Sequence, residues 1–206
     1  MKKWNRVITL STAGIGLALL NGCAAFQASV GTVDVNQQRH YDQKFDYTDM
    51  KNVASVMTDS MLSSKFLNEE TQPPIMIFAG VRNKTTDYLD TENLSNKMRT
   101  LLFKSGAMQF VNEGRRAELL KEQGYQAANA TPETQAAIGK QLGAKYMVTG
   151  TLTEMESQSP DQVRISRKKT SYYKLTAEVT NLESGLLSWT DDVEFAREAS
   201  VPIIKW

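Results

Sequence analysis

The chain has few of the residues that carry most enzymatic and metal chemistry: among its 206 residues there is one cysteine and one histidine. Nucleophilic catalysis of the serine or cysteine type needs a base held against the nucleophile, and His40 lies in a polar stretch where the sequence fixes no geometry for it. A zinc site needs three or four His, Cys or acidic ligands, and with the one cysteine at position 23 and the one histidine at position 40 the expected folded domain has neither His nor Cys. A lone cysteine also excludes an internal disulfide, so core packing alone must hold the fold. Glycine-rich phosphate loops of the G-x-G-x-x-G and G-x-x-x-x-G-K-[ST] kinds are absent. The adjacent acid pairs Glu69-Glu70 and Asp191-Asp192 are explained by solvation in turns and need no acid/base role. No cofactor, metal or small-molecule substrate is expected, and no enzyme. Net charge is lacking too, with 24 basic against 23 acidic side chains, so no global field draws the protein to nucleic acid. Long apolar runs are missing as well: the stretch Val7 to Leu20 falls short of the roughly 20 residues a membrane-spanning helix requires.

That stretch is informative in another way. A basic head (Lys2, Lys3, Arg6), a short apolar core and a terminal Leu20-Asn21-Gly22-Cys23 read as an export signal ending in a lipobox. Cleavage between Gly22 and Cys23 and transfer of diacylglycerol to the Cys23 thiol is the chemistry such a segment undergoes; an ordinary signal peptide is the alternative. Several acyl chains anchor durably, because each buried methylene contributes about 0.8 kcal/mol. Resemblance to bacterial lipoproteins implies that Ala24 directs the protein to the outer membrane, facing the periplasm. Without the signal the chain keeps 21 basic and 23 acidic side chains, a balance of −2.

The expected organisation is a signal peptide (1–22), a lipidated cysteine with a flexible tether (23–44) and one globular domain (45–206). The tether is expected because the stretch is polar and has no periodic apolar face. In the domain, Met50, Val53, Ala54, Met57 and Met61 repeat at three and four, predicting a helix from Asp49 to about Phe66 capped by Asp49 or Thr48. The methionines of this helix, with Met98, are core residues by position rather than metal ligands. After Pro73-Pro74, Ile75 to Ala79 reads as a buried strand and Arg82 to Thr86 as a polar loop. A helix over Glu92–Lys104 ending at Gly106, a short strand at Met108–Val111 and a charged helix over Gly114–Gln123 with Ala117 and Leu120 inward follow. Thr131-Pro132 starts a helix that carries Ile138 and Leu142 inward and closes at Gly143. Strands are expected over Tyr146–Met155, Tyr172–Asn181 and Leu186–Phe195, the last two a hairpin around Glu183-Ser184-Gly185. Asp191 falls on the apolar face of its strand, which predicts a bulge at Asp191-Asp192. The fold class is therefore α+β: a mixed sheet of about five strands with a C-terminal antiparallel hairpin and helices packed over it.

Two groups suit a protein partner. Arg167, Lys168 and Lys169, close to Tyr172 and Tyr173, combine charge with aromatics, although a solvated hairpin end explains them too. Asn83, Lys84 and Thr85 follow a buried strand, where partners often bind, and equally suit a structural turn. Several short motifs carry a family likeness: Asp46-Tyr47 entering the first helix, Val81-Arg82-Asn83-Lys84-Thr85 after the first strand, Gly143-Ala144-Lys145-Tyr146 entering the third, and Glu183-Ser184-Gly185 followed by Leu186-Leu187-Ser188-Trp189 in the hairpin. In these, over about Phe45 to Ala196, the chain resembles the LpoB family of outer-membrane lipoproteins that activate class A penicillin-binding proteins. The resemblance implies docking on a non-catalytic domain of the synthase and faster peptidoglycan synthesis. It departs in its tether, since family members often carry a long proline-rich one and Ala24 to Lys44 is short and has no proline. An accessory subunit of an envelope secretion system, resembling CsgG-like lipoproteins, is the alternative; a ring-shaped oligomer favours it, a monomer the activator.

Overall fold

The computed structural model describes residues 31–122, 131–159 and 166–202. The expected signal peptide, Gly22 and the expected lipidation site Cys23 lie outside the described residues. The chain divides into Met1–Asn36 and a compact unit, Gln37–Trp206. In the first, Asp34 Oδ1 accepts from the Asn36 amide at 2.9 Å, a local turn.

Helix α1 spans Tyr47–Leu62, two residues earlier than its apolar repeat predicts. Asp46 is the cap: Asp46 Oδ1 accepts from the amides of Thr48 at 2.8 Å and Asp49 at 3.1 Å, while Asp49 Oδ2 accepts from the Asp46 amide at 3.0 Å. This reciprocal box satisfies amides that a helix start leaves without partners, and it makes Asp49 the third helical residue rather than the cap. The chain then breaks at Ser63 and restarts as a short helix α2, Lys65–Asn68.

Strand β1 runs Ile75–Lys84 and so takes in part of the expected polar loop. What hides this in the sequence is a bulge: the pairing register with the strand over Tyr146–Gln158 shifts between Phe78 and Val81, and Gly80 has φ +92°, a conformation costly for any residue with a Cβ. Helix α3 (Thr91–Lys104) is capped by Asp90, and β2 is only Gln109–Phe110. Helices α4 (Glu113–Glu122) and α5 (Pro132–Gln141) follow, the latter with the expected Thr131 cap and Pro132 in its first turn. Ala117 is exposed, contrary to expectation, and Leu119 is half-buried, because α4 leans on α5 rather than on the sheet. Ile138 is buried as predicted.

Strands β3 (Tyr146–Gln158), β4 (Ser166–Asn181) and β5 (Leu187–Pro202) complete one five-stranded sheet in the order β2-β1-β3-β4-β5. The β2-β1-β3 pairs are parallel and the β3-β4-β5 pairs antiparallel, the mixed sheet with a C-terminal hairpin that the sequence predicts. The expected bulge at Asp191-Asp192 is not there. Asp191 pairs in register with Ala177, and the shift falls at Ser188, between the Val179–Trp189 and Thr180–Leu187 pairs. Asp191 keeps its place on the apolar face because β5 is the sheet edge, where solvent reaches it and Ser60 Oγ donates to it.

The main core lies on one face of the sheet. Val53, Met57 and Met61 of α1 and Leu94, Met98 and Leu102 of α3 pack there on Met76, Phe78, Val148, Leu152, Leu175 and Val179. On the other face a small cluster, Ile77, Ala144, Met147 and Leu182, is covered by α5. Gly139 permits that approach, since a Cβ there would sit 1.8 Å from Ile77 Cδ1. Beyond this corner no described helix covers the second face.

Candidate functional site

The segment before α1, assigned by sequence to the tether, is packed onto the compact unit. Gln43 is buried, and Phe45 joins Tyr173 and Phe195 in an aromatic cluster with ring centroids 5.6 and 6.2 Å from its own. His40 is not without fixed geometry: its Nδ1 lies 2.7 Å from Asp46 Oδ2. Arg197 holds the segment from β5. Its Nη1 donates to the Lys44 carbonyl at 2.9 Å and lies 3.4 Å from Asp46 Oδ2, and its Nη2 donates to Asp49 Oδ1. Lys44 Nζ binds Asp87 at 2.8 Å in the β1–α3 loop. Burial pushes the Asp46 carboxyl up, but bonds from His40 and from the Asp49 and Thr48 amides outweigh it and hold the group below the usual carboxylate range.

His40, Asp46 and Asp49 bring ligand-type atoms within 4.8 Å of one another. The guanidinium of Arg197 already supplies their cation, so a metal ion would have to displace it. Next to this cluster, Tyr173 donates to Glu154 Oε1 at 2.7 Å and accepts from the Phe45 amide at 3.2 Å. Burial, reinforced by Glu154, drives its phenol far above the ordinary tyrosine value.

The six residues singled out for partner binding are at the same end of the sheet but do not form one patch. Asn83 and Thr85 build the β1–α3 turn. Asn83 Oδ1 accepts from Thr85 N at 2.9 Å and from Thr85 Oγ1 at 2.7 Å, and Asn83 Nδ2 donates to the Asp87 carbonyl at 2.9 Å. Lys84 alternates to the opposite face and is exposed. In the register Lys84 lies level with Thr153 and Lys174, whereas Lys169 lies level with Gln158, five rows further along β3. Lys168 is on the Lys84 side and pairs with Glu198 at 2.7 Å; Arg167 and Lys169 alternate to the helix side.

Strand register orders the charges of the uncovered face. Along β1 it carries Arg82 and Lys84, along β3 Thr149, Thr151, Thr153 and Met155, and along β5 Asp192 and Glu194. Between them β4 contributes Tyr172, Lys174, Thr176 and Glu178. Met155 is 69% exposed and is paired with Tyr172, whose hydroxyl donates to Glu194.

At the opposite end of the sheet, Glu70 is not merely solvated. Its Oε1 accepts from Lys145 Nζ at 2.5 Å and from Tyr146 Oη at 2.6 Å. The Lys145 bond, with that of Tyr146, holds the Glu70 carboxyl below its ordinary value. Sequence reading missed Glu70, Glu154 and Arg197. Arg197 alone left a signal, a charge two residues past Phe195 on the inward side of an alternating strand.

A mixed five-stranded sheet roofed by helices on one face and largely bare on the other defines the class, a helix-roofed α+β domain. Residues 49–195 match the family described as the peptidoglycan-synthase activator LpoB, and the chain belongs to that family. The LpoB C-terminal domains of Salmonella enterica and Escherichia coli share the fold, each at 15% identity and TM-score 0.56, with 71% of this chain and 98% of theirs aligned. E. coli LpoB in solution aligns over 87% of both chains at 16% identity and TM-score 0.50. Among curated proteins none matches the sequence. The family is one of regulatory activators of peptidoglycan synthases, in line with the expectation of no catalysis and of an envelope-associated protein.

Proposed function

We propose that this chain is an outer-membrane lipoprotein, anchored through Cys23 and facing the periplasm, that binds a class A penicillin-binding protein and stimulates its peptidoglycan synthesis. The observation that carries the reading is the family match over residues 49–195, which spans α1 through most of β5. Activation follows from linkage: a regulator speeds its partner only by binding the active conformation better than the inactive one, and a preference of about 1–3 kcal/mol is typical of such coupling. The chemistry then stays in the synthase. The signal peptide 1–22 and a tether beginning at residue 23 belong to this reading.

The test is to purify the full chain in detergent, titrate it into class A penicillin-binding proteins from the same cell, and measure binding and glycan polymerisation together. Saturable binding with faster synthesis is expected. A folded protein that binds none of them overturns the reading.

A further inference from the structure

We propose that the synthase docks on the uncovered sheet face, through its ordered charges, and not on the Asn83 turn. This rests on the activator reading above and specifies its contact surface. The side-chain amide and hydroxyl of Asn83 and Thr85 are committed to bonds inside their own loop, so they maintain a shape rather than present groups to a partner. The sheet face is different in kind. Its helix cover ends with the Ile77–Met147–Leu182 corner, and from Thr149 onward β3, β4 and β5 show a polar face that nothing else among the described residues covers.

The charges on that face are sorted by strand. Arg82 and Lys84 make the β1 column basic, the β3 column carries hydroxyls and Met155, β4 carries one charge of each sign, Lys174 and Glu178, and Asp192 and Glu194 make the β5 column acidic. Two registered rows run across it, Arg82–Thr151–Thr176–Asp192 and Lys84–Thr153–Lys174–Glu194. With strands about 4.8 Å apart, the basic and acidic columns are separated by roughly 14 Å. An anionic polymer or an anionic bilayer would be repelled by the acidic column. A folded protein surface that presents an acidic strip opposite β1 and a basic strip opposite β5, with an uncharged strip opposite β3, satisfies both. Charges sorted in this way fix the orientation of docking and speed encounter more than they add affinity. Met155, 69% exposed beside Tyr172, gives the face the kind of apolar, aromatic centre that holds interfaces together.

The test uses the full chain in detergent and the synthase that it binds. Two double charge reversals, R82E/K84E and D192K/E194K, are compared with R167E/K169E, which alters the same end of the sheet on its helix side. Circular dichroism melts establish that each variant is folded. The expected result is that each face variant weakens binding by about tenfold or more, mainly through slower association, while R167E/K169E does not. Unchanged binding by both face variants, with the wild type still binding, overturns this docking surface and leaves the activator reading standing. A wild type that binds no synthase removes both. Sedimentation that shows a wild-type dimer, lost in the face variants while synthase binding persists, assigns the face to a second copy and overturns the proposal.

Discussion

Ser95 is a small residue with a large structural duty. The bulge in β1 leaves the Val81 amide without a strand partner, and Ser95 Oγ, reaching from α3, accepts from it at 2.8 Å while donating to the Thr91 carbonyl at 2.6 Å. Gly80 is demanded by its φ of +92° rather than by space, since a Cβ there would meet that same oxygen at 3.6 Å, an ordinary contact distance. Replacing Ser95 with alanine strands a buried donor, and an unsatisfied buried amide costs about 1–3 kcal/mol. Ser95→Ala is therefore expected to lower the denaturation midpoint by an amount of that order without changing the slope of the transition. Ser95→Gly or Ser95→Cys distinguishes the mechanism, because only a side chain that accepts a hydrogen bond should recover part of the loss.

At the scale of elements, the structure turns on how the segment before α1 is held. Arg197 faces inward from β5, its side chain 16% exposed, and pairs with Asp49, 6% exposed. Removing one partner of a buried pair leaves the other charge uncompensated, at a typical cost of about 3–5 kcal/mol. Arg197→Ala is expected to destabilise the domain toward the lower end of that range and to raise hydrogen exchange of residues 39–46 first; exchange rising uniformly over the sheet would contradict this local role. The same elements show what could be read from sequence. Apolar spacing located α1, α3, α5 and the three long strands, because each buries one stripe or one face and the period survives. It failed where side chains from distant strands take over. Asp46 became the helix cap because its carboxylate reaches two amides, and Asn83 to Lys84 stayed in the strand because a glycine bulge realigned β1. The packed segment 37–46 could not be seen at all, since its anchors, Tyr173 and Arg197, lie over 120 residues away in the chain. Of the candidate site, the basic residues were legible but their faces were not: which side Lys84 and Lys169 point to depends on that bulge and on the β3–β4 register.

For the molecule as a whole, the two ends of the sheet predict the pH range of the fold. The Asp46 and Glu70 carboxyls both lie below their ordinary values of 3.8 and 4.5. Depressed carboxylates stabilise the native state above the unfolded-state pKa, and that stabilisation is lost as pH falls through the folded-state values. The Tyr173 phenol shifts the other way, above its ordinary 10.0. Its contribution is complete below that value and disappears as pH rises through the folded one, because ionising a buried phenol beside the Glu154 carboxylate would place two negative charges together. Stability should thus be flat between about pH 5 and 10 and fall on both sides, the acid limb through carboxylates at both ends of the sheet and the alkaline limb through the buried phenol. Urea midpoints measured across pH test it. Glu70→Gln should lower the plateau yet converge with the wild type once the pH has fallen through the depressed folded-state value of Glu70, where the carboxylate it lacks is protonated in both states of the wild type. Tyr173→Phe removes the ionisable group and should flatten the alkaline limb, though the Phe45 amide loses an acceptor and the plateau drops. An alkaline limb unchanged by Tyr173→Phe would mean that another group, Tyr146 or Lys145 at the Glu70 end, governs unfolding in base.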